Sequence, residues 1–331
     1  MKAKRLTMKD IAQMAGVGKS TVSRYFNGGY VKEETRARIH KIIEENGYEP
    51  NVMAQIMKRK HSQLIGIITP ALDSTTSSRM MMTMDEYLRG QKYTPLIINT
   101  NHNELRELMS IEQLRNLNVD GIILIATDLT MAHQKIISQI DIPFVVIGQR
   151  CKQGVAVVYD DYRAGYDLAC YVAKKGHKDI AYVGVFQKDI AVGVERKQGV
   201  QDGLKAYGID HYHFIETDFS FEKTRQVVGA FLDRHRPTAI ICATDNLALA
   251  CYKEIQIRGL KMPEDISLAG FGGYEISSLI TPSLTTIRYE NEEAACQGAK
   301  AMIDMIQEKD VESQHMVDYV LIEGGSISNL R

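Results

Sequence analysis

Residues 7–27, TMKDIAQMAGVGKSTVSRYFN, constrain the chain more than any other stretch. The pattern predicts two short helices around a tight turn. Thr7 can cap the first helix through its hydroxyl. Asp10, three residues on, sits where a carboxylate offsets the unpaired amides and the positive end of the helix dipole. Ile11, Ala12 and Ala15 give this helix an apolar face, Gly16 supplies the turn, and a second helix is predicted over 18–25. Two helices joined by a short Gly-containing turn form the helix-turn-helix unit, whose second helix enters the DNA major groove. Val17 and Val22 can pack inward, which leaves Lys19, Ser20, Ser23 and Arg24 on the remaining faces. Lys donates to guanine O6 and N7, and a Ser hydroxyl pairs with several bases or with phosphate. A plain amphipathic hairpin with a solvated basic face is the simpler alternative.

The following residues weaken that alternative. Val31, Ile39, Ile42 and Ile43 predict a third apolar helix, which Gly47 would stop. The run GYEPNVMAQIM then leads into Lys58, Arg59 and Lys60. From DIAQMAGVGKSTVSRYFN through V-x-x-x-T-R to Y-x-P-N-x-x-A, roughly the first 60 residues resemble the headpiece and hinge of the LacI/GalR family of bacterial repressors.

The resemblance implies a helix-turn-helix headpiece over 1–50, a hinge helix and linker over 51–61, and an effector-binding and dimerisation core over 62–331. Its N-lobe would take about 62–160 and 291–319, and its C-lobe about 161–290 and 320–331. It also implies a homodimer on a pseudo-palindromic operator. Lys19 and Ser20 would read bases with help from Arg24, while Thr7, Thr21, Ser23, Asn27 and Thr35 would hold phosphates. The hinge, with Asn51 and Ala54, would fold on DNA and insert Met57, in place of the usual Leu, into the central base step. Lys58 and its basic neighbours would add salt-dependent affinity.

Charge agrees with one polyanion-binding end. Residues 1–61 carry 13 Lys and Arg against 6 Asp and Glu, whereas the remainder carries 27 against 35. The N-terminal residues lack the apolar core of a secretory signal, and no run approaches a membrane span, so the expected location is the cytoplasm. Cys151, Cys170, Cys242, Cys251 and Cys296 are odd in number and widely spaced, which predicts buried reduced thiols. No metal or cofactor constellation stands out; GVGKST over 16–21 lacks the spacing and the upstream strand of a phosphate loop.

From His61 the pattern changes to short apolar strands alternating with helices. Strands are predicted over 64–68, 95–98, 121–125, 144–147 and 155–159, then over 180–185, 214–216, 239–243, 267–271 and 285–288. Two such sets predict an α/β core of two doubly wound parallel-sheet lobes, periplasmic-binding-protein-like, behind the all-α headpiece. Ligands of such sheets bind outside the carboxyl ends of the strands.

Those ends supply the effector candidates. Asp73 and Ser74 can bond sugar hydroxyls or cap a helix, and Gln149 follows the fourth strand. Phe186 and Phe219 can stack on a sugar ring in a chain without Trp, or serve as core. Arg196 opens a helix in the frame G-x-x-R-x-x-G, where the family's Arg usually contacts the effector; an interlobe salt bridge is the competing reading. Asp245, in CATDNLAL, can cap its helix, face the cleft, or both. Where many relatives carry a carboxylate, this chain has Gly272 and Gly273, so Tyr274 or Glu275 would substitute. LDSTTSS, CATDNLAL and the glycine pair resemble repressors of sucrose and trehalose operons, although Ala71 replaces an Arg common in phosphosugar binders. That leaves Arg196, Lys188 or Arg79 to hold a phosphosugar.

The run Arg79-Met80-Met81-Met82-Thr83-Met84 predicts a subunit contact, because four Met at helical spacing cannot all face one core. Only nine residues follow Ile322, too few for a tetramerising coiled coil, which again predicts a dimer. The expected function is a DNA-binding repressor of a sugar-utilisation operon, relieved by a sugar or sugar phosphate in the interlobe cleft. Alternatives are a catabolite regulator steered by a phosphocarrier protein, a ligand-activated co-repressor system, and a sugar-modifying enzyme or transport receptor. No nucleophile–base pair or carboxylate dyad supports an enzyme.

Overall fold

The computed structural model describes residues 6–26, 28–48, 61–72, 75–187 and 189–330. It divides into two compact units, Met1–Ser62 and Gln63–Arg331.

In the first unit three helices, α1 (Met8–Met14), α2 (Lys19–Phe26) and α3 (Glu33–Asn46), surround a small core of Ile11, Ala12, Ala15, Val22, Ile39 and Tyr48. Thr7 and Asp10 form a capping box: the Asp10 amide donates to the Thr7 hydroxyl, and the Thr7 amide donates to the Asp10 carboxylate at 2.7 Å. Gly16 turns the chain at φ +63°, a left-handed conformation that a side chain would strain. Gly47 ends α3 in the same region at φ +55°. The second helix runs one residue later than predicted. Gly18 is its start, accepting through its carbonyl from Thr21 and Val22. The ring of Phe26 meets Tyr48 at 5.9 Å, and the Tyr25 hydroxyl lies 3.2 Å from His40 Nδ1, fixing α2 against α3. In so small a core, truncating Ile39 to Ala would cost about 2–5 kcal/mol.

The second unit holds two six-stranded sheets. The first, in the order β11-β5-β4-β3-β1-β2, consists of β1 (Leu64–Thr69), β2 (Thr94–Asn99), β3 (Gly121–Ile125), β4 (Phe144–Ile147), β5 (Val155–Tyr159) and β11 (Gln314–Val317), all parallel. The second, in the order β12-β10-β9-β8-β6-β7, consists of β6 (Ile180–Val185), β7 (His213–Thr217), β8 (Ala239–Cys242), β9 (Ser267–Phe271), β10 (Thr285–Tyr289) and β12 (Tyr319–Ile322). Only β12 is antiparallel to its neighbour. Strands such as GIILI and FVVI are apolar throughout because helices cover both faces.

On the first sheet lie α4 (Thr75–Gly90), α5 (Glu104–Asn116), α6 (Met131–Ile137) and α12 (Asn291–Ile306). The second sheet carries α7 (Asp161–Lys174), a π-helix (Ile190–Arg196) continuing into α8 (Lys197–Lys205), α9 (Phe221–Leu232), α10 (Asp245–Ile257) and α11 (Glu275–Leu279). The chain passes between the sheets three times: from β5 to α7, from β10 to α12, and from β11 to β12. Tyr159, Tyr289 and Tyr319 mark these crossings, with ring centroids 4.9 Å apart for the first pair and 6.3 Å for the second.

Two sequence expectations change here. Met80, Met81 and Met84 belong to the first sheet's core beside Leu88, and only Met82, 72% exposed, faces outward. The run therefore serves the core first, because the sheet accepts a broad stripe of α4. Cys242 and Cys251 are buried thiols 3.5 Å apart, but Cys151, Cys170 and Cys296 are only half-buried. Among the described residues no helix is long and apolar enough to cross a membrane, and no group of three His, Cys, Asp or Glu could hold a metal ion.

Candidate functional site

In the first unit, the exposed arc of α2 is the candidate nucleic-acid surface. Lys19, Ser20 and Arg24 are exposed and Ser23 is half-buried, whereas Val22 is wholly buried. At 3.6 residues per turn, positions 19, 20, 23 and 24 share one side, and Val22, Tyr25 and Phe26 share the opposite one. Thr21 and Thr35 are half-buried at the margins, and the Thr7 hydroxyl is engaged by Asp10 at 2.6 Å. Asn27, Asn51, Ala54, Met57 and Lys58 lie outside the described residues.

In the second unit, a cavity of about 190 Å3 opens between the ends of β3, β4 and β5 and the start of the π-helix. Its polar wall is Asp128, Gln134, Gln149, Arg150, Tyr159 and Glu195, and its apolar wall includes Leu129, Val158, Ile190 and Ala191. Gln149 is 7% exposed; its amide donates to the Thr127 carbonyl at 2.8 Å and reaches Asp189 at 3.4 Å. Asp189 caps the π-helix by accepting from the Val192 amide at 3.0 Å. Burial raises its carboxyl above the usual range, against the opposing pull of that amide and of Arg196. Arg150 pairs with Glu195 at 3.5 Å and donates to Gln314 at 3.1 Å.

Arg196 lies apart from this wall. Its Nε donates to Asp161 at 2.9 Å, its Nη2 to the same carboxylate, and its Nη1 to the Ala243 carbonyl at 2.5 Å. The guanidinium also lies over the rings of Phe271 and Tyr289, at 4.7 and 5.2 Å. The Tyr289 hydroxyl donates to Asp161 as well, at 2.7 Å. Burial alone would make this Arg easier to deprotonate, but Asp161 and Tyr289 hold its pKa above the ordinary value. The flanking glycines explain the G-x-x-R-x-x-G frame: a Cβ on Gly193 would collide with the Phe186 carbonyl, and one on Gly199 with that of Tyr162. Such close approach brings Arg196 to Asp161. The interlobe salt bridge is thereby corrected, since both partners sit on helices of the second sheet's lobe, and it is Glu195 that faces the cavity.

Asp245 is wholly buried and accepts from Thr286 Oγ1 at 2.6 Å, Ser277 Oγ at 2.8 Å and the Tyr274 amide at 3.1 Å. Burial raises its pKa, and these donors pull it back. The expected cap is corrected: Thr244 caps α10, accepting from the Leu247 amide, because Asp245 is already the first helical residue. The glycine pair has a backbone reason. Gly273 adopts φ +62°, and a Cβ there would press on Arg288. Tyr274 is half-buried, at the N-terminus of α11. Phe186 and Phe219 meet edge to face at 5.9 Å, outside the cavity wall. Asp73, Ser74 and Lys188 lie outside the described residues.

Of the effector candidates, then, Gln149 alone lies on the cavity wall among the described residues. Sequence reasoning missed Asp128 and Glu195, although the strand-end rule that singled out Gln149 applies equally to Asp128 after β3.

A helix-turn-helix bundle combined with two α/β lobes that share three crossings defines a ligand-responsive regulator of transcription as the class. Comparison with known proteins agrees. The model of bacterial regulatory proteins of the lacI family matches residues 7–51, and the periplasmic binding protein-like domain matches 169–327. The sucrose operon repressor of Staphylococcus xylosus is 34% identical over 317 residues, covering 93% of this chain and 96% of that protein. The lac repressor dimer bound to operator and the anti-inducer ONPF superposes with a TM-score of 0.85 at 22% identity, over 98% of this chain and 100% of that one. The transcriptional regulator CelR in complex with cellobiose gives 0.72 at 22% identity, over 97% and 100%. The chain belongs to the lacI family of bacterial regulatory proteins.

Proposed function

We propose that the protein is a cytoplasmic, homodimeric repressor of a sugar-utilisation operon, of the kind its Staphylococcus xylosus relative is named for, relieved by a sugar bound in the cavity at Gln149. The observation that carries the DNA-binding half is the arc of α2: Lys19, Ser20 and Arg24 are exposed while Val22 anchors the helix. Lys19 and Ser20 read base edges with help from Arg24. Thr7, Thr21, Ser23, Asn27 and Thr35 serve register on the backbone. Residues 51–61 act as the hinge, with Met57 as wedge and Lys58 adding counterion release. Sugar lowers operator affinity only to the extent that it binds the non-repressing state better.

The test is fluorescence anisotropy on DNA from the protein's own promoter. Lys19→Ala is expected to cost about 1–3 kcal/mol against the best site and to relax base preference. Unchanged affinity and preference would remove α2 from the recognition role.

A further inference from the structure

The effector's charge can be read from how the described Arg residues around the cavity are used. A phosphate monoester carries about −1.5 to −2 charges at neutral pH and offers its partner only acceptor oxygens. It needs donors, above all an Arg or Lys not already committed to a carboxylate. Three Arg come into question around the cleft. Arg196 is buried, with three of its five N–H groups on Asp161 and the Ala243 carbonyl and its face over Phe271 and Tyr289. Arg79, on α4, lies 3.6 Å from Glu292 and 3.9 Å from Glu275. Arg150 is shared between Glu195 and Gln314.

The carboxylates tell the same story from the other side. Two of them, Asp128 and Glu195, line the cavity against Arg150 alone among the described residues, and Asp189 stands directly behind Gln149. A carboxylate accepts hydrogen bonds and cannot donate them, so it suits a hydroxyl and repels a phosphate. The apolar wall of Ile190, Ala191 and Val158 suits the C–H face of a sugar ring.

We infer that this cavity selects an uncharged polyhydroxylated ligand and discriminates against its phosphate monoester, with Asp128 and Glu195 as the residues that set the preference. The inference rests on the reading of the cavity as the effector site and names the chemical class that site takes. Glu195 has a second effect. By pairing with Arg150 it competes with an anion for the one cation among the described residues of the wall.

The test is isothermal titration of the full-length protein with sucrose, trehalose and fructose, each beside its 6-phosphate, on wild type, Glu195→Gln and Lys188→Ala. Operator binding on the same preparations controls for folding. At least one neutral sugar is expected to bind ten or more times tighter than its phosphate. Glu195→Gln, which removes one anion and releases Arg150, is expected to narrow that ratio by about tenfold. Equal or tighter binding of a phosphate overturns the inference, and loss of that binding in Lys188→Ala would name the cation responsible. A preference for the neutral sugar that survives Glu195→Gln at full strength overturns the assignment to Glu195. No heat with any sugar from protein that still binds operator overturns the sugar-effector reading itself, and the inference with it.

Discussion

Arg150 and Arg196 are both paired with carboxylates, yet they do different work. Arg196 is 6% exposed, with Asp161, a carbonyl and two aromatic rings around it. Arg150 has half its side chain exposed and a longer contact to Glu195, at 3.5 Å. The first pair is a buried unit in which three of the guanidinium's five N–H groups are committed to Asp161 and the Ala243 carbonyl, placed where the chain crosses between sheets. The second lies on a cavity wall and can rearrange at little cost, since exposed ion pairs contribute about 0–1 kcal/mol. A charged residue in a cleft is thus a ligand contact only when its own hydrogen bonds leave something over. By that rule we propose Gln149, Asp128 and Glu195, which line the cavity, as the effector contacts ahead of Arg196.

The largest effect expected of this contrast is at Asp161. Asp161→Ala leaves the Arg196 charge buried without its partner, at a cost of about 3–5 kcal/mol in thermal or urea unfolding. The Asp161→Ala, Arg196→Met double variant should recover much of that loss, because the uncompensated charge goes too. Simple additivity of the two single changes would break the comparison.

A smaller effect is expected at Asp189. Its folded pKa is raised, so the folded protein holds this proton more tightly than the unfolded chain does. The associated stability is fully present below the usual aspartate pKa and is lost as pH rises through the folded value. Asp189→Asn keeps an acceptor for the Val192 amide without the buried charge. It should raise the melting midpoint at pH 7, and the gain should shrink as pH falls toward the usual aspartate range. A gain independent of pH would show that burial of the charge is not the cause.

Much of the architecture was legible because its signals are local. The Thr7–Asp10 box and the Gly16 turn lie within ten residues, and apolar runs such as those of β3 and β4 announce buried strands. Strands β11 and β12 were not forecast, since QHMV and YVLI are short, partly exposed and recognisable only by their partners β5 and β10. The same limit applies to the site. Arg196 was found by its glycine frame, but its partner Asp161 is 35 residues away and no spacing rule connects them. Asp245 was found by its turn, while its partners come from elsewhere: Thr286 from β10, and Ser277 and Tyr274 from α11 and its cap. Sequence pattern shows which residues stand at strand ends; which of them are already satisfied is settled only by long-range packing.

The most direct measurement is sugar-induced release of operator DNA from Gln149→Ala beside the wild type, at one salt concentration. The account predicts that the variant binds operator as the wild type does, while the sugar concentration needed for release rises at least about tenfold, a change of some 1.4 kcal/mol. Release at an unchanged concentration from Gln149→Ala would contradict it, and would place the effector away from this cavity.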